Sequence, residues 1–213
     1  MSKLIEALQA FDLRKTTEDT IRDEFEKIAD IALNEGYFLV NKTKKIYPVE
    51  IEFYLYGEKA EDQNQEWMCD YNMYHRHYDK IDRNNIDRNN LIVKKDDYYV
   101  DYFPTKGSLH PHKSGVDVTF ENKDREYRAS FLIKKYRIDD PKGKIQTKAT
   151  YLCEEFFGYA PFETDGLHFD IKWVNDPSVR TGIREWKTRI NFHKKNRELD
   201  EKEWRCIKKE WPA

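Results

Sequence analysis

The chain has 213 residues, enough for one ample core, and 14 Tyr, 12 Phe and 5 Trp imply that this core leans on aromatic side chains. Its 38 basic and 40 acidic residues leave a net charge of −2, which neither calls for nor excludes a polyanion partner. Cys69, Cys153 and Cys206 lie far apart, so neither a zinc site nor a disulfide framework is indicated, and no apolar run reaches the length of a signal peptide or a membrane span. A cytoplasmic monomer with no membrane partner is the expectation.

Residues 2–11 read as a short helix with Leu4, Ile5, Leu8 and Phe11 on one side. Thr16 or Thr17 caps a longer helix, with Glu18 and Asp19 in its first turn, an apolar stripe of Ile21, Phe25, Ile28, Ala29 and Ala32, and Gly36 at its end. Residues 37–40 form a strand, 41–45 a turn, and 46–57 a second strand, together a hairpin. In this second strand Val49, Ile51, Phe53 and Leu55 point one way and Glu50, Glu52, Tyr54 and Tyr56 the other. Two carboxylates and two phenols on one face fit either a wetted outer face, which is the commoner case, or the floor of a cleft that holds a general base.

Residues 58–95 form a polar excursion that contains the tandem repeat Ile81-Asp82-Arg83-Asn84-Asn85 and Ile86-Asp87-Arg88-Asn89-Asn90. Two copies do not build a solenoid. Met73-Tyr74-His75-Arg76-His77-Tyr78 mixes aromatic and basic groups, which fits a loop anchored by its tyrosines or a surface that stacks on bases and touches phosphates. A strand at 98–103 leads to a loop at 104–115 carrying His110 and His112. No third or fourth metal ligand is evident there beyond Asp117, so no metal is expected. Strands at 116–120 and 128–136 pair across a turn at 121–126. A helix follows at 147–157, then strands at 167–174 and 184–192 and a final helix at 201–209. Residues 180–209 hold eleven Lys/Arg against five Asp/Glu, a local excess that suits a nucleic-acid face or an ordinary solvated surface. No Walker loop, dinucleotide fingerprint or nucleophile elbow is present, and no cofactor is called for.

Taken in order, several segments resemble the alkyladenine (3-methyladenine or methylpurine) DNA glycosylase family. Ile28-Ala29-Asp30-Ile31-Ala32-Leu33-Asn34-Glu35-Gly36-Tyr37-Phe38-Leu39-Val40 is similar to its helix-to-strand entry. Val49-Glu50-Ile51-Glu52-Phe53-Tyr54-Leu55-Tyr56-Gly57 resembles its Val-Glu-Thr-Glu-Ala-Tyr-x-Gly strand. Ala129-Ser130-Phe131-Leu132-Ile133-Lys134 resembles Ala-x-Val-Leu-Ile-Arg, with Lys134 in place of arginine. Residues 148–158 resemble its Gly-Pro-x-x-Leu-Cys helix without the Gly-Pro. Arg180-Thr181-Gly182-Ile183, Trp186 and Arg189-Ile190-Asn191-Phe192 are similar to its closing segments. The resemblance implies a base-excision enzyme acting on DNA, in which Glu52 activates the attacking water and Tyr54 stacks on the extruded base. Lys134 and Arg180 join as substrate contacts. Two family features are missing: a histidine after the strand tyrosine, and the aromatic wedge, whose place is taken by Lys113-Ser114-Gly115-Val116-Asp117. His110, His112, Tyr74 and His75 stand as substitute contacts.

The fold expected is of α/β type in the α+β sense, one domain over 1–213 with a curved, mostly antiparallel sheet and helices packed against its outside. Three functions remain open: a DNA glycosylase that hydrolyses the N-glycosidic bond of a modified base, a non-catalytic nucleic-acid-binding module on that fold, and an enzyme acting on a small nucleoside-like ligand with the same glutamate.

Overall fold

The computed structural model describes residues 2–57, 66–70, 73, 106–112, 114–120, 127–157, 170–190 and 201–211. The strand expected at 98–103, the turn at 121–126 and the tandem repeat lie outside these residues, as do Tyr74 and His75.

Two helices open the chain. Helix α1 (Lys3–Ala10) starts at Ser2, whose hydroxyl accepts the Ile5 N–H, and buries Leu4 and Leu8. Helix α2 (Ile21–Asn34) repeats apolar residues at helical spacing and buries Ile21, Phe25, Ile28, Ala29, Ala32 and Leu33. It begins later than the sequence implies. The Thr17 N–H donates to the Thr20 hydroxyl at 2.8 Å, which closes a turn ahead of the helix. Asp23 and Glu24, not Glu18 and Asp19, therefore sit at the positive end of the helix dipole.

The described strands are β1 (Gly36–Val40), β2 (Lys44–Gly57), β3 (Leu109–His112), β4 (Gly115–Thr119), β5 (Tyr127–Ile138), β6 (Ile171–Asn175), β7 (Ile183–Lys187) and β8 (Arg205–Lys208). All their pairings are antiparallel. Their order is β3-β4-β5-β2-β1-β6, and β8, carrying β7, joins at β2. Strand β2 makes this branch possible. One of its edges pairs with β5 from Ile46 to Gly57; the other pairs with β1 at Lys44–Ile46 and with β8 at Glu50–Glu52. A 3-10 turn at Ala149–Tyr151 runs into the short helix α3 (Leu152–Phe157), inside the segment expected to be helical.

Two expectations are corrected. The loop at 104–115 contains strand β3, paired with β4. The segment expected as a closing helix is strand β8. Its run of Glu, Lys and Arg favours a helix locally, but Trp204, Cys206 and Lys208 alternate inward, and β2 offers an open edge for the backbone of β8. The ladder hydrogen bonds outweigh the local preference.

One face of β2 supplies the core: Ile51, Phe53 and Leu55 pack with Ala129, Phe131 and Ile133 of β5 and with α1 and α2. Phe25 stacks on Phe53 at 4.3 Å and meets Trp204 edge-on at 5.3 Å, so aromatic rings do lead this core. Ile46 belongs to the same cluster although it lies five positions before Ile51, an odd step that simple alternation would place on the other face. The pairing of β2 with β5 is irregular around Glu50, which accounts for the change of parity and leaves Val49 buried outside the main cluster.

The sheet is curled. Leu109 and Val118 near one end and Phe38 and Ile171 near the other line a common cavity of about 380 Å³ with Leu4 and Ile5 of α1. Both ends of the sheet thus reach α1, and the sheet wraps around its helices rather than carrying them on its outside. No described helix is long and apolar enough to cross a membrane.

Lys208 lies on the inward side of β8, where its ammonium donates to the Val179 carbonyl at 2.6 Å. Burial, reinforced by Arg137 and opposed by Glu210, pushes it down to about 8. The folded state therefore gives up this proton before the unfolded chain does. The burial penalty is fully present below pH 8 and is relieved as pH rises from 8 toward the ordinary lysine value near 10.4. In urea unfolding from pH 7 to pH 10, the stability of the wild type should rise relative to that of Lys208→Met, and a flat difference between the two would contradict this.

Candidate functional site

Residues opposite one another on paired strands present their side chains on one face of the sheet. Glu52 lies opposite Leu132 on β5 and Arg205 on β8. Leu132 lies opposite Asp117 on β4, Asp117 opposite His110 on β3, and Arg205 opposite Lys187 on β7. One row therefore runs Lys187, Arg205, Glu52, Leu132, Asp117, His110. A neighbouring row holds Tyr54, Ser130 and Thr119, and Tyr56 faces Arg128. The face is not wetted. Glu50 is 2% exposed, Asp117 3%, and Glu52, Arg128 and Ser130 0%. Such burial demands partners for each polar group.

Glu52 has them from three parts of the chain. Its Oε1 accepts the Ile190 N–H at 2.8 Å. Its Oε2 accepts the Tyr54 hydroxyl at 3.0 Å and lies 3.1 Å from the Lys134 ammonium. Glu50 is engaged separately, with Oε2 2.6 Å from Lys135 Nζ and Oε1 3.5 Å from Arg205. The Tyr54 phenol is pushed well above its usual range, first by burial and then by the Glu52 charge, so it stays protonated as a donor. Its ring packs with Tyr56, Met73 and Leu132, and the Arg189 guanidinium lies 5.3 Å over it.

Arg189 is buried between the rings of Tyr54 and Trp204, 5.3 Å from each. It donates to the Phe53 carbonyl at 3.2 Å and forms an ion pair with Asp70, whose own N–H donates to the Leu55 carbonyl at 3.2 Å. On the far side, His112 Nδ1 accepts the Ser114 N–H at 3.2 Å, and its Nε2 lies 3.3 Å from Asp117. The Ser130 hydroxyl donates to the other Asp117 oxygen at 3.3 Å. His110 lies against His112 with ring centroids 6.0 Å apart.

Of the residues singled out from sequence, Glu52, Tyr54 and Lys134 are in direct contact. His110 and His112 share the face through Asp117. Arg180 is elsewhere: half exposed, it bridges Asp30 and Glu35 of the α2 end at 2.7 and 2.8 Å. Tyr74 and His75 lie outside the described residues. Other cations of the basic stretch also have acidic partners. Lys187 pairs with Glu185 at 2.8 Å, Lys202 with Glu18, and Arg205 with Glu50. Sequence reasoning did not single out Asp70, Arg128 or Ser130. Asp70 gives no local signal, because its partner Arg189 lies 119 residues away. Ser130 and Arg128 alternate with the apolar residues of β5, and that pattern could have found them.

Among the described residues no group of three or more His, Cys, Asp or Glu is placed to hold a metal ion. The cavity next to α1 lies on the opposite, apolar face of the sheet.

A hydrogen bond to a charged group contributes about 1.5–3 kcal/mol. Tyr54→Phe removes the hydroxyl from Glu52 and keeps the ring, and should lower the unfolding free energy in urea by about that amount. A loss under about 0.5 kcal/mol would mean the contact is energetically idle.

Compared with family models, with curated proteins and with solved structures, the chain gives no match, so the arrangement around Glu52 stands on its own geometry.

Proposed function

We propose that the polar face of the sheet is the working surface of an N-glycoside hydrolase, with Glu52 as the base that activates water and a nucleobase-bearing substrate, DNA with a modified base foremost. The observation that carries this reading is the gathering of ionisable groups on one face of the sheet: Glu52 in contact with Tyr54 and Lys134, in one row with Arg205, Asp117 and His110. Apolar residues would fill a purely structural layer at lower cost, since replacing buried ion pairs by apolar groups is often neutral or stabilising. Ionisable groups collected where water is excluded are a common mark of a working site.

Hydrolysis of the glycosidic bond needs a carboxylate beside a water and the anomeric carbon. Glu52 supplies the carboxylate. Lys134, 3.1 Å from Oε2, adds positive charge beside it. Tyr54 acts here as a donor that orients Glu52, while His110 and His112 border the same face. The likeness of residues 49–57 to the alkyladenine glycosylase pattern supports the assignment of Glu52 as base and the glycosylase-like fold.

A second reading has its own observation. Glu52 is 0% exposed and both its oxygens are engaged, which suits a module that binds without turnover. A small nucleoside-like ligand is the alternative substrate within the hydrolytic reading, and the acidic partners of Arg180, Lys187 and Arg205, which leave less free positive charge for phosphates, are the observation behind that alternative.

The experiment is an assay of released base from oligonucleotides carrying a panel of damaged bases, alongside free nucleosides. Glu52→Gln should reduce release by roughly 10²–10⁴-fold. Glu50→Gln should cost far less. Release from nucleosides alone assigns the small ligand. Equal release by wild type and Glu52→Gln, or binding with no release by wild type, removes the hydrolytic reading.

A further inference from the structure

Arg189 and Asp70 form an ion pair with neither side chain exposed. Burial of this kind is weak evidence for stability, and an apolar pair of similar volume often serves the fold as well. The geometry gives the pair a different role. Both donors that reach Glu52 from outside β5 are tied to Arg189. The Ile190 N–H on Oε1 belongs to the next residue in the chain. The Tyr54 hydroxyl on Oε2 belongs to the ring under the guanidinium. Arg189 in turn is fixed to β2 through the Phe53 carbonyl and, by way of Asp70, through the Leu55 carbonyl.

We infer that the Arg189–Asp70 pair is the positioning device of this site: it holds the Ile190 amide and the Tyr54 phenol on Glu52 and so sets the direction of the carboxylate. The inference rests on the reading of Glu52 as the working base. Arg189 touches no reacting atom in this scheme; it acts through the two donors.

The test uses the full chain with the pair replaced by apolar groups, Asp70→Leu/Arg189→Met, so that neither charge is left alone. Two readouts are taken. The first is amide hydrogen exchange at Ile190 compared with Phe53, whose N–H donates to the Trp204 carbonyl at 2.8 Å in the adjoining ladder. The second is kcat and KM for base release. The expected result is Phe53 protected as in wild type, Ile190 exchange faster by about tenfold or more through local opening, and kcat lower by roughly 10²-fold with KM little changed. Arg189→Lys should recover part of both. Ile190 protection and kcat both at wild-type level in the double variant would overturn the proposal and leave the pair a structural one. If the double variant loses Phe53 protection, Arg189→Lys carries the same readouts: faster Ile190 exchange supports the inference and unchanged exchange overturns it. If wild type releases no base from any substrate, the hydrolytic reading fails, while the exchange comparison still decides whether the pair holds Ile190 on Glu52.

Discussion

Removing a carboxylate from water costs several kcal/mol unless donors replace the lost hydration. Glu52 is removed completely, and much of the architecture follows from meeting that demand. Lys134 comes from β5, Tyr54 from β2 itself, and the Ile190 amide from the segment after β7. That segment can reach Glu52 because β8 occupies the second edge of β2 beside Glu50–Glu52 and carries β7 with it. Arg189 is buried along with the segment, and Asp70 neutralises it. One buried charge thus draws in a second pair and fixes where the sheet branches.

The two faces of β2 divide the molecule. Phe53 goes to the helices and Glu52 and Tyr54 to the polar layer, by the alternation of an extended chain alone. The helices fill the inside of the curl with aromatic and aliphatic side chains, so the polar layer has the other face to itself. The same backbone that anchors the core therefore holds the site, and a shift in the register of β2 would exchange the two sets.

The alternation in β2, the stripe in α2 and the β1–β2 hairpin could all be read from sequence because period and local turn chemistry specify them. Strand β8 could not. Its alternation covers only Trp204, Cys206 and Lys208, among charged residues that favour helix, and its place depends on an edge of β2 some 155 positions earlier, at Glu50–Glu52. Strand β3 was hidden by its Pro111 and two histidines, which look like a loop, yet β3 stands at the edge of the described sheet, where a proline is tolerated. In the site, Glu52 and Tyr54 were legible from the strand and the resemblance, while Asp70 and Arg189 meet only through the fold. The basic stretch at 180–209 suggested a charged face, but charge counted along the chain does not reveal the acidic partners that the end of α2 and strand β2 bring to it.

The branching of the sheet also bears on how the protein is made. The amide that satisfies Glu52 lies 138 residues beyond it, and β8, which closes the neighbouring edge, is later still. During synthesis β2 can pair early with β1, but from Glu50 to Glu52 its second edge waits for β8, some 155 residues later. Pairings this distant in sequence form slowly, and an open strand edge invites contact with other chains in the meantime. A nascent chain stopped before β8 would hold a half-finished sheet with a charged residue at its unfinished edge. A carboxylate beside an unpaired strand edge opposes the stacking of one such edge on another, and Glu50 and Glu52 both lie beside the edge that β8 closes.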